Sequence, residues 1–494
     1  MKKKTALLAL FILPAFFLFH SYNQLFGFVP GKIILFYGIF IYSLLIAAFA
    51  VLLRAKIPAS KASLILLSIT IFILFFAPLH ESYRIITFDT VASSYWIMLP
   101  LCSLLLVLLA RKIIRTENIS PKLFSFLNIA MIFIFSTEIF TSFSKFSDYK
   151  KTNNLIYPET PLTDKFVSPN IPDSSKPDIY FLLFDEYTNN KALKQFWGYK
   201  NDSITDWLTA NNFYVPTDTR CNYNFTVFSI SSAFNMNYID GHLGDDGSNS
   251  YNLFKASKSL SHNETFNILK KENYDLRFLA PFDNDIENNG LEYFFDYMLK
   301  DLIPNQTLPG SIGRTISSGM KMRDSVGYSN YMKEKYNSIK YTIDAVKKTT
   351  DSSSNRKPHF VYGHFMITHQ PHLLDSTGKF MTLKEFQNST FFNTYTSQIG
   401  YANNAMQELV DHIKQHNKPN TIVVILGDHG FRHFPDSLRE GSLSNFSAIY
   451  FPDKNYSKLY NTISPVNIFR VVFDQYFDQK FPMLKDTSKL VKDD

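Results

Sequence analysis

The sequence predicts a five-helix transmembrane anchor followed by an outer α/β domain with a doubly wound, largely parallel sheet. Three observations predict it. Five long apolar stretches fill the first third of the 494 residues. A proline-rich, aperiodic segment follows. Beyond it, short aliphatic runs alternate with segments of helical periodicity, the pattern of buried strands joined by crossover helices.

The apolar stretches run from Ala6 to Phe26, Ile33 to Leu53, Ala62 to Pro78, Val91 to Ala110, and Leu123 to Phe143. Each approaches the ~20 residues that cross a bilayer, almost without charge. Lys2 to Lys4 before an apolar run also resemble a signal peptide, but four further stretches point to an uncleaved first span. Loop charges set the orientation. Lys2, Lys3, Lys4, Arg54, Lys56, Lys61, Arg111, Lys112, Arg115 and Lys122 fall on one side, and only Lys32 and Arg84 on the other. The basic side faces the cytoplasm. The N-terminus is therefore expected inside, in a multi-pass cytoplasmic (inner) membrane protein, and everything after Phe143 outside. This divides the chain into an anchor (1–145), an extended linker (146–177) and an extracytoplasmic domain (178–494).

The same asymmetry explains the net charge of +7: residues 1–145 hold 13 Lys and Arg against 4 Asp and Glu, and the remainder 37 against 39. The basicity is topogenic and argues against a nucleic-acid partner. Glu138, the acid inside the fifth span, is expected to reach the outer interface. With so few ionisable groups in the spans, a transport pathway is disfavoured. Cys102 lies in a span and Cys221 in the outer domain, so they cannot pair with each other, even in an oxidising compartment.

In the linker, prolines 158, 161, 169, 172 and 177 stand among polar residues without periodicity. Order is expected from Asp178. Ile179 to Phe184 form a buried strand that runs into Asp185 and Glu186. A second segment, 359–372, reads as a strand with His364, His369 and His372 along its end and beyond. Ile422 to Leu426 form another, ending in Gly427, Asp428, His429 and Gly430, and 446–452 a further one. Ser203 is placed to cap a helix. Ile399, Ala402, Met406, Leu409, Val410 and Ile413 recur at helical spacing through 394–416. Residues 290–357 fit the alternation poorly and read as an insertion, over the site, against the bilayer, or as a surface excursion.

Three strands thus end in metal-type ligands: Asp185, His369, and Asp428 with His429. Ligands in open parallel sheets sit beyond the carboxyl ends of the strands. Carboxylates with imidazoles suit one Zn²⁺ or Mn²⁺ better than Ca²⁺. Thr226, in "CNYNFTVFSISSAFNM", opens a small, hydroxyl-rich stretch expected to begin a helix, whose N–H groups favour a phosphoryl oxygen. Taken alone, Thr226 also reads as a cap or a core-edge hydroxyl.

The order of "FLLFDEY", "NYNFTVFSISSAFNM", "GHFMITHQPH" and "VVILGDHG" resembles the alkaline phosphatase and sulfatase superfamily. Its membrane phosphoethanolamine transferases and lipoteichoic acid synthases, which carry a five-span anchor, look most similar. The resemblance implies an alkaline phosphatase-like fold, with Asp185, Thr226, Asp428 and His429 on the metal and Glu186 as a further candidate ligand. It implies Thr226 as nucleophile, His369 at the phosphoryl oxygens or the leaving group, and His364 and His372 on the substrate. The sulfatase signature, Cys or Ser then x-Pro-x-Arg, is missing: Cys221 is followed by Asn222, Tyr223, Asn224 and Phe225. The disulfides common in phosphoethanolamine transferases are absent too, and the first acid there is usually Glu.

Outside the cytoplasm a donor must carry its own energy, and membrane phospholipids do. The expected function is transfer of a phospho-head-group, of phosphoethanolamine or phosphoglycerol type, from a phospholipid through a phosphothreonine to an envelope glycan or lipid. The alternatives are a sulfatase- or phosphodiesterase-type hydrolase, and a non-catalytic membrane protein that keeps the fold.

Overall fold

The computed structural model describes residues 8–26, 29, 31–86, 94–152, 161–239, 247–248, 250–261, 263–279, 302–323, 325–351, 357–434 and 436–492. The chain divides into two compact units, Met1–Asn153 with Met298–Gly319, and Asn154–Tyr297 with Met320–Asp494.

The first unit holds α1 (Leu8–Gln24), α2 (Gly31–Arg54), α3 (Ala59–Ile86), α4 (Tyr95–Arg115) and α5 (Pro121–Thr152). The last four are long and apolar enough to cross a membrane. α1 is apolar but has 17 described residues, and the start of the first stretch lies outside the described residues. Rows of large apolar side chains stay exposed, among them Phe36, Phe40, Leu104 and Phe133, as a lipid-facing surface requires. Glu138 takes His20 Nδ1 at 2.8 Å and the Asn23 amide at 2.6 Å, both on α1. An apolar surrounding rewards a carboxylate that finds partners on a neighbouring helix.

The second unit is built on a five-stranded sheet of order β2-β3-β1-β4-β5. Its strands are β1 (Asp178–Phe184), β2 (Asp275–Leu279), β3 (His359–Phe365), β4 (Thr421–Leu426) and β5 (Ser447–Tyr450). All pairings are parallel except β4 with β5. The inner strands β1, β3 and β4 are buried throughout, and alternate residues feed opposite faces. Ile179, Phe181 and Leu183 join Ile422, Val424 and Leu426 in one core, with α6 (Thr226–Asn235) and α9 (Pro465–Phe477) over it. Tyr180, Leu182 and Phe184 join Val423 and Ile425 in the other, under α7 (Ser325–Asp351) and α8 (Phe391–His416).

Four expectations change. The strand from 359 ends at Phe365 rather than 372, and turns carry His369 and His372. The helix near Ser203 starts at Asp202, with Asn201 at its cap position. Much of the 290–357 insertion is α7, a core helix whose Ile339, Ile343 and Val346 pack against Val361 and Phe365; residues 280–301 lie outside the described residues. Over its described residues 161–177, the linker is packed rather than an extended tether. α5 runs on to Thr152, Leu162 and Phe166 enter the core, Thr163 donates twice to Glu264 Oε2 (2.6 and 2.7 Å) and Lys176 meets Glu272 at 2.9 Å. Prolines exclude helix and ladder, but they do not stop side chains from binding acids that distant segments present. β2 is the strand that periodicity missed. At the sheet edge it is only partly buried, so it needs no aliphatic run.

Candidate active site

The register places Leu183 opposite both His364 and Leu426. The residues that follow β1 and β4 therefore leave the sheet side by side at one edge, and the turn after β3 joins them. Gly427 and Gly430 allow the close approach. A Cβ on Gly427 would stand 2.3 Å from the Tyr187 carbonyl oxygen, and one on Gly430 2.7 Å from that of Ser444. Gly427→Ala is accordingly expected to lower the melting temperature of the detergent-solubilised chain by about 5 °C or more, since the obstacle is backbone that cannot step aside. An unchanged melt would remove this reason for the glycine.

Three buried side chains meet at the edge, each with one polar atom held and one free. Asp185 Oδ2 takes His364 Nε2 at 3.1 Å and the Thr226 hydroxyl at 3.5 Å. Asp428 Oδ1 accepts the Glu186 N–H at 2.9 Å. His429 donates Nδ1–H to the Gly430 carbonyl at 2.7 Å, which fixes its tautomer. Asp185 Oδ1, Asp428 Oδ2 and His429 Nε2 are left buried without a hydrogen-bond partner, and ligand atoms of these three residues lie within 4.8 Å of one another. Buried polar atoms normally find partners. Two carboxylate oxygens and an imidazole lone pair aimed at one point suit a divalent cation, which supplies what each lacks.

The electrostatics agree. Burial raises the Asp185 carboxyl, but His369 and the hydrogen bond from His364 outweigh it and hold it well below the usual range. Burial pushes His429 down, which favours the neutral, ligating form. Glu186, in the left-handed region at φ 64°, lies outside this cluster. Its Oε1 accepts the Arg432 N–H at 2.7 Å, and burial pushes its carboxyl up to about 8 against the pull of Arg432.

Thr226 is the first residue of α6, half-buried, and the position before it offers no side-chain cap. The opening N–H groups of the helix thus keep their capacity for an anion beside the hydroxyl. His369 donates Nδ1–H to the Gln370 carbonyl and receives Arg432 Nη2 at its Nε2, at 3.1 Å. Of the expected substrate contacts, His364 is buried inside β3 and holds Asp185. His372 does not face the cluster: it is buried, bonded to the Thr368 carbonyl at 3.1 Å and packed on Phe391 and Tyr395. Burial and nearby Lys335 push it down to about 3. It fills the core because the turn after Phe365 reverses the chain, which strand spacing cannot foresee.

Arg432 and Lys335 belong to the site and escaped the sequence reading. Lys335, on α7, donates to the carbonyls of His369 and Pro371 at 2.8 and 2.9 Å, and burial pushes its ammonium down to about 7 against Asp185 and Glu186. Arg432, two residues beyond Gly430, was the legible one, since it closes the same turn as the metal-type ligands.

A parallel sheet with carboxylates, an imidazole and a hydroxyl gathered at its carboxyl edge defines an α/β domain of the hydrolase and transferase type. The chain belongs to the sulfatase family, which it matches over residues 189–471. No curated protein matches it significantly. Among solved structures, it is similar to the integral membrane lipooligosaccharide phosphoethanolamine transferase A of Neisseria meningitidis, with 16% identity, TM-score 0.42, and 94% of this chain and 95% of that one covered. It is also similar to the C-terminal periplasmic domain of EptC from Escherichia coli (13%, TM-score 0.41, 66% and 92%). A third is the lipoteichoic acid synthase of Listeria monocytogenes (12%, TM-score 0.37, 67% and 78%). The family assignment rests on the sulfatase match alone.

Proposed function

We propose that this chain is a membrane-anchored, metal-dependent transferase that moves a phosphoethanolamine- or phosphoglycerol-type head group from a phospholipid, through Thr226, to an envelope glycan or lipid. The observation that carries the reading is the set of free, buried atoms of Asp185, Asp428 and His429 beside the Thr226 hydroxyl at a helix start. A Zn²⁺ or Mn²⁺ held by Asp185, Asp428, His429 and Thr226 supplies Lewis acidity and lowers the pKa of a hydroxyl next to it. Thr226 Oγ forms the bond to phosphorus, and the bond from phosphorus to the glycerol oxygen breaks. The hydroxyl proton of Thr226 ends on the departing diacylglycerol, and its delivery is assigned to His369, whose Nε2 is released when Arg432 turns to the phosphoryl oxygens. In the second half the acceptor hydroxyl attacks, its proton takes the reverse route, and Thr226 is regenerated. Arg432, already on His369, brings a guanidinium to the phosphoryl oxygens. Lys335 fixes the turn that carries His369.

The test is release of diacylglycerol from labelled phospholipid by the full-length protein with Zn²⁺ or Mn²⁺. Transfer of label to an envelope fraction supports the reading, and no release from any head group refutes it. The reading also needs the second unit outside the cytoplasm, with the N-terminus inside. A reporter fused after Lys150 should be active only outside and one after Arg111 only inside; the reverse pattern would remove the phospholipid donor argument.

A further inference from the structure

We infer that the outer domain carries a second divalent-cation site, formed by Asp351 of α7 with His412 and His416 of α8. These residues share nothing with the candidate active site. His412 and His416 lie four apart on α8, on one face of the helix. Their rings stack with centroids 4.1 Å apart and 22° between planes. Asp351 comes from the other helix and sets Oδ1 2.9 Å from His412 Nε2. His416 donates Nδ1–H to the His412 carbonyl at 3.0 Å, which leaves its Nε2 lone pair for a ligand. Ligand atoms of all three residues lie within 4.8 Å of one another.

Electrostatics supply an independent argument. α8 ends at His416. The negative end of this long helix favours a cation. Asp351, on α7, brings a negative charge to the same place, 2.9 Å from His412 Nε2. One turn earlier, Lys347 is paired with Glu408 on α8, so that ammonium is already engaged. Two imidazoles and a carboxylate select a borderline cation such as Zn²⁺ over Mg²⁺. Binding replaces the His412–Asp351 hydrogen bond and releases any proton shared there. Three protein ligands leave a coordination position open to water. The bound ion ties α7 to α8, and α7 is the helix whose Lys335 holds the His369 turn.

The full-length protein, dialysed against Zn²⁺ in detergent, is expected to hold one more equivalent than the His412→Ala/His416→Ala variant, by elemental mass spectrometry. Asp428→Asn, altered at the candidate active site, should keep this second ion. Asp351→Asn should weaken it by about tenfold or more. Melting temperatures in chelator should match the wild type, and only the wild type should gain on adding Zn²⁺. If the double variant already melts lower in chelator, the Asp351→Asn titration decides. Equal Zn²⁺ content in wild type and double variant, or unweakened binding by Asp351→Asn, would overturn the site. Neither readout uses turnover, so failure of the proposed transfer reaction leaves this inference standing, and its failure leaves that reaction standing.

Discussion

Replacing Thr226 by alanine is expected to abolish release of diacylglycerol, by roughly 10⁴- to 10⁶-fold, the scale on which removing the nucleophile of a covalent mechanism acts. Its hydroxyl reaches Asp185 Oδ2 at 3.5 Å from the first position of α6. No other hydroxyl of the helix takes its place: Ser229 is bonded to the Asp428 carbonyl at 2.6 Å, and Ser231 and Ser232 are buried against carbonyls of their own. Cys221, the residue a sulfatase of the modified-cysteine kind would use, is sealed in the core. Its thiol faces the Ser442 carbonyl at 3.8 Å, and burial, aided by Asp428, pushes its pKa well up. Cys221→Ala should therefore leave turnover nearly unchanged, whereas Thr226→Ser should keep part of it. The fold should survive Thr226→Ala, because one small side chain at a helix start costs about 1 kcal/mol. Equal release by wild type and Thr226→Ala would refute the nucleophile. Loss of activity in Cys221→Ala with an intact fold would return the reading to a sulfate ester.

Much of this site is legible in the sequence, for a physical reason. A parallel strand buried on both faces must be a continuous aliphatic run, so Ile179 to Phe184 and Ile422 to Leu426 declare themselves, and polar residues just after them fall at one edge. Asp185, Asp428 and His429 are therefore visible without a structure, as are the close-approach glycines. The turn after β3 is different. Whether His364, His369 or His372 faces the edge depends on where the chain reverses, and that is set by contacts from α7 and α8, over thirty residues away for Lys335. Lys335 itself sits in a polar helix with nothing local to mark it. The strap before β1 shows the same limit, since Thr163 and Lys176 are ordered by Glu264 and Glu272 a hundred residues on.

Asp428→Ala and His429→Ala should each strip the outer domain of its active-site cation, with affinity falling by more than the ~10–100-fold typical of losing a residue that only supports a ligand. The two changes are not equivalent. His429→Ala removes one lone pair and leaves the Gly430 carbonyl without its ring donor. Asp428→Ala removes a charge and also the acceptor of the Glu186 N–H, so it should lower stability further, by about 1–3 kcal/mol for the orphaned buried donor. Asp428→Asn separates the two effects: its amide oxygen can still accept from Glu186, while the negative charge the cation needs is gone. Metal content should therefore fall in all three variants, and the extra loss of stability should appear only in Asp428→Ala. Elemental analysis after dialysis, with melting curves in chelator, reads both quantities. In the wild type, chelator should itself lower the melting temperature, because Asp185 and Asp428 are then buried together with no cation between them. Full occupancy at this centre in both alanine variants would sink the assignment of these ligands, and with it the proposed activation of Thr226.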